Sequence, residues 1–188
     1  FVEARHNLAM AINDQQRLAE SEALLHAILA ERPDHVDVRF HLAMIELQSG
    51  RLAPGWAGYE LRRGGRLAAP FPEWRGEDLA GKQIVLVGEQ GFGDHLQFIR
   101  FVPRLAALGA TVDLVCQPEL AAILGTVPGL NQLSETLLDR PYDYWCRLMS
   151  VAGHLGIELA DLPAAAFPYL GTEPARVARW RARIDAIA

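Results

Sequence analysis

The sequence predicts an α part followed by an α/β part: helical hairpins first, then a domain built on a parallel sheet. Three observations carry this. Residues 1–63 repeat their apolar side chains only at helical spacing. From Lys82 onward, short apolar runs alternate with helical patterns. Between them, "GGRLAAPFPEWRGEDLAGK" is punctuated by glycine and proline and keeps no period. The expected division is 1–63 helical, 64–81 linker, 82–171 parallel-sheet domain and 172–188 a terminal linker helix.

In the first part, "NLAMAIND" and "RLAESEALLHAILAERPDH" read as one pair of helices, with Pro33 after the second. "VDVRFHLAMIELQSG" and "RLAPGWAGYELRR" read as another pair. At an offset of 34 residues Leu8 aligns with Leu42, Ala9 with Ala43 and Ser21 with Gly55. These are small or apolar residues, of the kind close helix packing needs. Gly50 stands at the second turn, where Gln16 stands in the first. The pattern resembles the tetratricopeptide repeat over about one and three-quarter units, with its aromatic slots partly replaced. The resemblance implies a protein partner on the repeats, and either further repeats or docking on the next domain. The alternative is a plain pair of helical hairpins.

In the linker, Trp74 is expected to pack as an anchor. Then "QIVLVG" reads as a buried strand and "DHLQFIRFVPRLAALG" as a helix, kinked or broken at Pro103. "ATVDLVCQ" is a second strand, and Pro118 suits the first turn of the helix "PELAAILGTV". "GLNQLSE" is a third strand and "YDYWCRL" a fourth, with Trp145 in the core. The helix "MSVAGHLG" follows. This alternation predicts a parallel sheet with helices on both faces. A last helix, "EPARVARWRARIDAIA", carries Arg176, Arg179 and Arg183 on one solvated face.

Composition narrows the function. The chain has 188 residues, 51% hydrophobic and 22% charged, with net charge −5, so it is globular and not drawn to nucleic acid or anionic membrane. No apolar run is long enough to span a bilayer. Cys116 and Cys146 fit neither a disulfide framework nor a zinc pattern, which points to a reducing, cytoplasmic compartment. None of the six histidines has a second ligand at metal spacing, so neither a metal nor a cofactor is expected. Ser134 and Ser150 lack the setting of a hydrolase nucleophile. The chain starts at Phe1 and stops inside a helical pattern, so a fragment of a longer protein is expected.

The chemistry concentrates in "GEQGFGD", at the end of the first predicted strand, where open parallel sheets bind ligands. Gly91 and Gly93 begin a dinucleotide fingerprint, but Leu96 occupies the third glycine position and no acid ends the second strand. A P-loop also fails, because no lysine followed by Ser or Thr comes after the glycines. That leaves Asp94 with two readings: a helix cap, or a general base at a cleft.

"EQGFGDHLQFIRFVPRL", with "CQPEL", "EWRGEDLAGK" and "YDYWCRLMSVAGHLGI", resembles bacterial proteins that join tetratricopeptide repeats to a heptosyltransferase-like glycosyltransferase of family 9 type. The resemblance covers most of residues 56–171. It implies a GT-B architecture, two Rossmann-like halves around a cleft, with residues 82–171 as the acceptor-side half. It implies that Asp94 is the base of an inverting transfer from a nucleotide sugar to an unknown glycan or protein acceptor, without bound metal. Glu89, Gln90, Gly91, Gly93 and His95 are then the expected substrate contacts, although His95 stands where relatives often carry a small hydroxyl residue. The donor-binding half is expected to lie outside this sequence, leaving these residues alone inactive. The rival function is a non-catalytic adaptor in which Asp94 is only a cap.

Overall fold

A computed structural model describes residues 1–62, 69–89, 91–162 and 168–187. The protein is α + α/β: a helical amino-terminal part, then a region built on a four-stranded parallel sheet. It divides into two compact units. Residues 1–62 with 152–162 make the first, and 69–151 with 168–187 make the second.

The helical unit holds α1 (Val2–Asp14), α2 (Leu18–Glu31), α3 (Val36–Gln48) and α4 (Leu52–Tyr59). Ala9, Leu25, Ile28, Val38 and Ile45 are at most 1% exposed and form its core. Small residues set how closely the helices approach. Ser21 of α2 is buried and donates its hydroxyl to the Ala9 carbonyl at 2.7 Å. A Cβ on Gly58 would lie 2.5 Å from the Ala43 Cβ, and one on Gly55 2.7 Å from Leu47, so α4 can sit on α3 only with glycine there. The two turns correspond as well: Gln16 (φ 62°) and Gly50 (φ 76°) both adopt the left-handed conformation. Leu8 departs from the pattern. It is 54% exposed while Leu42 packs against the core. Residues 152–162 belong to this unit, with Gly153 seated on Trp56 and Leu159 on Gly50.

Between α1 and α3, His6 Nε2 and His41 Nδ1 share a hydrogen bond, and the His35 ring stands 5.8 Å from that of His6. Burial first, and a neighbouring histidine second, hold the His6 and His41 pKa values below the ordinary histidine range; Asp37 acts in the opposite sense. The unfolded chain therefore takes up protons first. Stability from this pair is complete above the ordinary histidine pKa and falls as pH drops through it. Circular-dichroism melts should give a lower Tm at pH 5 than at pH 8. A His6→Gln/His41→Gln variant should lose most of that difference; an unchanged difference would sink the assignment.

In the second unit, β1 (Gln83–Val87), β2 (Thr111–Val115), β3 (Leu130–Ser134) and β4 (Tyr144–Arg147) pair in the order β3-β2-β1-β4, all parallel. β1 is interior, and Ile84 to Val87 are buried on both faces, which accounts for its continuous apolar run. The helix after β1 breaks where proline predicts. α5 (Phe92–Phe98) tightens into a 3-10 turn at Ile99–Phe101, and α6 (Val102–Ala107) restarts with Pro103 in its first turn. Pro103 has no N–H to continue the ladder. α7 (Pro118–Leu124) begins at its proline as expected. A 3-10 turn (Leu148–Ser150) and α8 (Val151–His154) follow β4, and α9 (Pro174–Asp185) is exposed along its length, arginines included.

One expectation needs correcting. Val85, Val87 and Trp145 on one sheet face pack with Tyr142, Ala69, Phe71 and Val115, so the cover there comes from extended segments, not a helix. The connection from β3 to β4 contains no helix among the described residues. Part of the linker is built into the sheet instead. Trp145 donates its N–H to the Pro72 carbonyl at 2.9 Å and accepts from Trp74 N–H at 2.8 Å. Trp74 is 1% exposed, with its indole N–H on the Glu77 carbonyl, so it packs as expected. Cys116 and Cys146 are buried free thiols, and burial pushes the Cys116 pKa up.

Candidate functional site at the carboxyl end of the sheet

The chain runs β1, β2, β3 in one direction across the sheet, then crosses back to place β4 on the other side of β1. The carboxyl ends of β1 and β4 therefore flank the switch point, the place where open parallel sheets bind ligands. The loop after β1 and the 3-10 turn after β4 meet there, α5 touching Leu148–Ser150.

The loop is tied down from several sides. Gly88 N–H donates to the Val115 carbonyl at 2.8 Å. Asp94 is the third residue of α5, and its Oδ2 accepts from Gly91 N–H at 3.0 Å. Its Oδ1 makes no hydrogen bond to any described residue. The next side chain, His95, holds the other polar group of Gly91 through Nδ1 to the carbonyl at 2.9 Å. Two adjacent side chains thus clasp both sides of one glycine.

The expected contacts fall into different places. Asp94 is partly exposed, and Glu89 is partly buried just after the strand. Gln90 lies outside the described residues. Gly91 and Gly93 are exposed with ordinary negative φ at Gly91, and a Cβ on Gly93 would meet nothing within 4 Å. Neither is demanded by the protein's own packing; they leave open space beside Asp94. His95, expected at the substrate, is instead 0% exposed, enclosed beneath Gly88. A Cβ on Gly88 would lie 1.9 Å from His95 Nε2, so glycine is needed there to admit the ring.

Sequence reasoning passed over three residues at this edge. Gly88 had no visible signal, because its need arises from a side chain seven positions on. Phe92 is 48% exposed between Gly91 and Gly93; four residues before Leu96 it continues the apolar stripe, so its exposure was not legible in the spacing. Arg147 ends β4 opposite Val87, a charge inside an otherwise core-like strand. A cavity of about 200 Å³, lined by Cys116, Ala121, Ser134 and Glu135 among others, lies by the ends of β2 and β3. Among the described residues no group of three or more His, Cys, Asp or Glu side chains is arranged to hold a metal, and no helix is long and apolar enough to cross a membrane.

Fold and loop together define a parallel α/β unit preceded by a helical part. The chain is similar to Protein FlbA of Caulobacter vibrioides, with 30% identity over 221 aligned residues that take in 98% of this chain and 36% of FlbA. It therefore spans about a third of that relative's length. No family model and no solved structure matches it.

Proposed function

We propose that the chain belongs to an inverting glycosyltransferase of heptosyltransferase-like GT-B type, with the sheet unit as its acceptor-side half. One observation carries this: Asp94 stands at the switch point with Oδ2 anchored and Oδ1 unengaged among the described residues, near the open space over Gly93. A carboxylate held by one oxygen presents the other in a set direction, as a general base requires. Oδ1 takes the proton of an acceptor hydroxyl, the hydroxyl oxygen bonds to the anomeric carbon, and the nucleotide departs with the bonding electrons. Phe92 offers an apolar face on which a sugar ring can rest. The nucleotide-sugar donor belongs to a second Rossmann-like half outside these residues. The helical unit, read as tetratricopeptide repeats, presents a glycan or protein acceptor. A cytoplasmic setting is part of the same proposal.

The Gly91–Asp94 bond also favours a second reading. It closes the first turn of α5, which a non-catalytic adaptor would need equally. Asp94→Asn in the full-length protein separates the two, because asparagine keeps an oxygen for Gly91 N–H but loses the base. Nucleotide release from a panel of nucleotide sugars should fall about 100-fold or more, with Tm unchanged. Equal rates would leave Asp94 a cap and favour the adaptor.

A further inference from the structure

Arg147 is the last residue of β4, its Cα paired with that of Val87 on the final rung before both chains leave the sheet. The register places it on the face that carries Val85, Val87 and Trp145. Its Nε is buried and has no hydrogen-bond partner, and no described carboxylate pairs with the guanidinium. Three arginines of this unit have a carboxylate partner, Arg75 with Glu73, Arg140 with Asp113 and Arg176 with Glu173, whereas Arg147 has none among the described residues. A guanidinium keeps its charge at any physiological pH and offers a rigid fork of N–H donors. Buried polar groups are normally satisfied, and an orphan in a native fold calls for a partner. Here the orphan lies on the last rung of the sheet, at the carboxyl edge where open parallel sheets bind ligands, and the loop that leaves β1 there has open space over Gly93.

We propose that Arg147 binds an anionic group, a phosphate or a carboxylate, of the ligand that occupies the switch point. Both are planar or tetrahedral oxyanions that a guanidinium fork engages through two N–H bonds. A neutral hydroxyl would satisfy Nε but leave the charge unmatched. This assignment goes beyond glycosyl transfer, since it holds for any ligand at that edge.

The test uses the arginine Nε–Hε resonances of the ¹⁵N-labelled 188-residue chain, titrated with inorganic phosphate, acetate and glucose. The Arg147 cross-peak, assigned by its loss in Arg147→Gln, should shift saturably with an anion and not with glucose. The anion that shifts it more identifies the group recognised. Arg147→Lys should weaken binding several-fold, because an ammonium has no fork. No saturable shift with either anion, or undiminished binding by Arg147→Gln, overturns the proposal. If Arg147→Gln fails to fold, assignment through Arg147→Lys lets the wild-type titration decide. Anion binding together with an unaffected Asp94→Asn rate would uphold this site while refuting the base.

Discussion

Asp113→Ala is expected to remove about 3 kcal/mol of the sheet unit's stability. Asp113 is 2% exposed on the interior strand β2. Its Oδ1 accepts from Asn131 Nδ2 at 2.8 Å and its Oδ2 from the Tyr142 hydroxyl at 2.7 Å, and Arg140 pairs with the same carboxylate. Removing one partner of a buried ion pair strands the others; breaking such pairs costs about 3–5 kcal/mol. The lower end applies because the Arg140 side chain is 31% exposed and water recovers part of its solvation. Tyr142→Phe removes a single bond to that charge and should cost about 1.5 kcal/mol. Urea unfolding followed through Trp74 and Trp145, both buried in this unit, measures each. A loss under about 1 kcal/mol for Asp113→Ala would mean that the network does not hold the β3–β4 connection in place.

Gly88→Ala should cost about 2 kcal/mol in the native background and almost nothing once His95 is replaced by alanine. The new methyl falls on His95 Nε2, at the 1.9 Å position. The ring is enclosed and bonded to the Gly91 carbonyl, so it cannot step aside without freeing the loop. Gly88 itself does not have positive φ, so the backbone accepts alanine. The penalty is therefore a pairwise clash, and a double-mutant cycle isolates it. Additive losses in Gly88→Ala and His95→Ala would show that the two do not meet. In the full-length protein the same Gly88→Ala change should depress nucleotide release under the proposed function, since it displaces the loop that carries Asp94.

Much of the fold was legible because it rests on periodicity. The helices of residues 1–62 bury one stripe each, and that stripe is written at i, i+3 and i+4. β1 is a short, continuous apolar run, and Pro103 and Pro118 mark helix starts through chemistry confined to their own rings. The covering of the sheet was not legible. A strand buried on both faces reads the same whether a helix or an extended segment lies over it. Phe71 and Tyr142 meet above Val85 and Trp145 from opposite sides in sequence.

The site divides along the same line. The strand-to-helix switch after β1 made the position of Asp94 at the carboxyl edge of the sheet legible, while its role as cap or base stayed open in the residues themselves. Which glycine is sterically required did not follow. Gly91 and Gly93 attract attention by spacing, yet the enclosed space belongs to Gly88 and His95. Asp113 and Arg147 were missed for a shared reason: a charge inside a strand has no meaning until its partners, or their absence, are placed around it.

The sequence alone determined the order and kind of elements and the position of the acidic loop, because local periodicity and turn chemistry act over a few neighbouring residues. Only the tertiary structure decided which side chains are enclosed, which carboxylate oxygen is taken and that Arg147 has no carboxylate partner among the described residues. Those depend on contacts between residues far apart in the chain, where distance and burial, not spacing, set the energy.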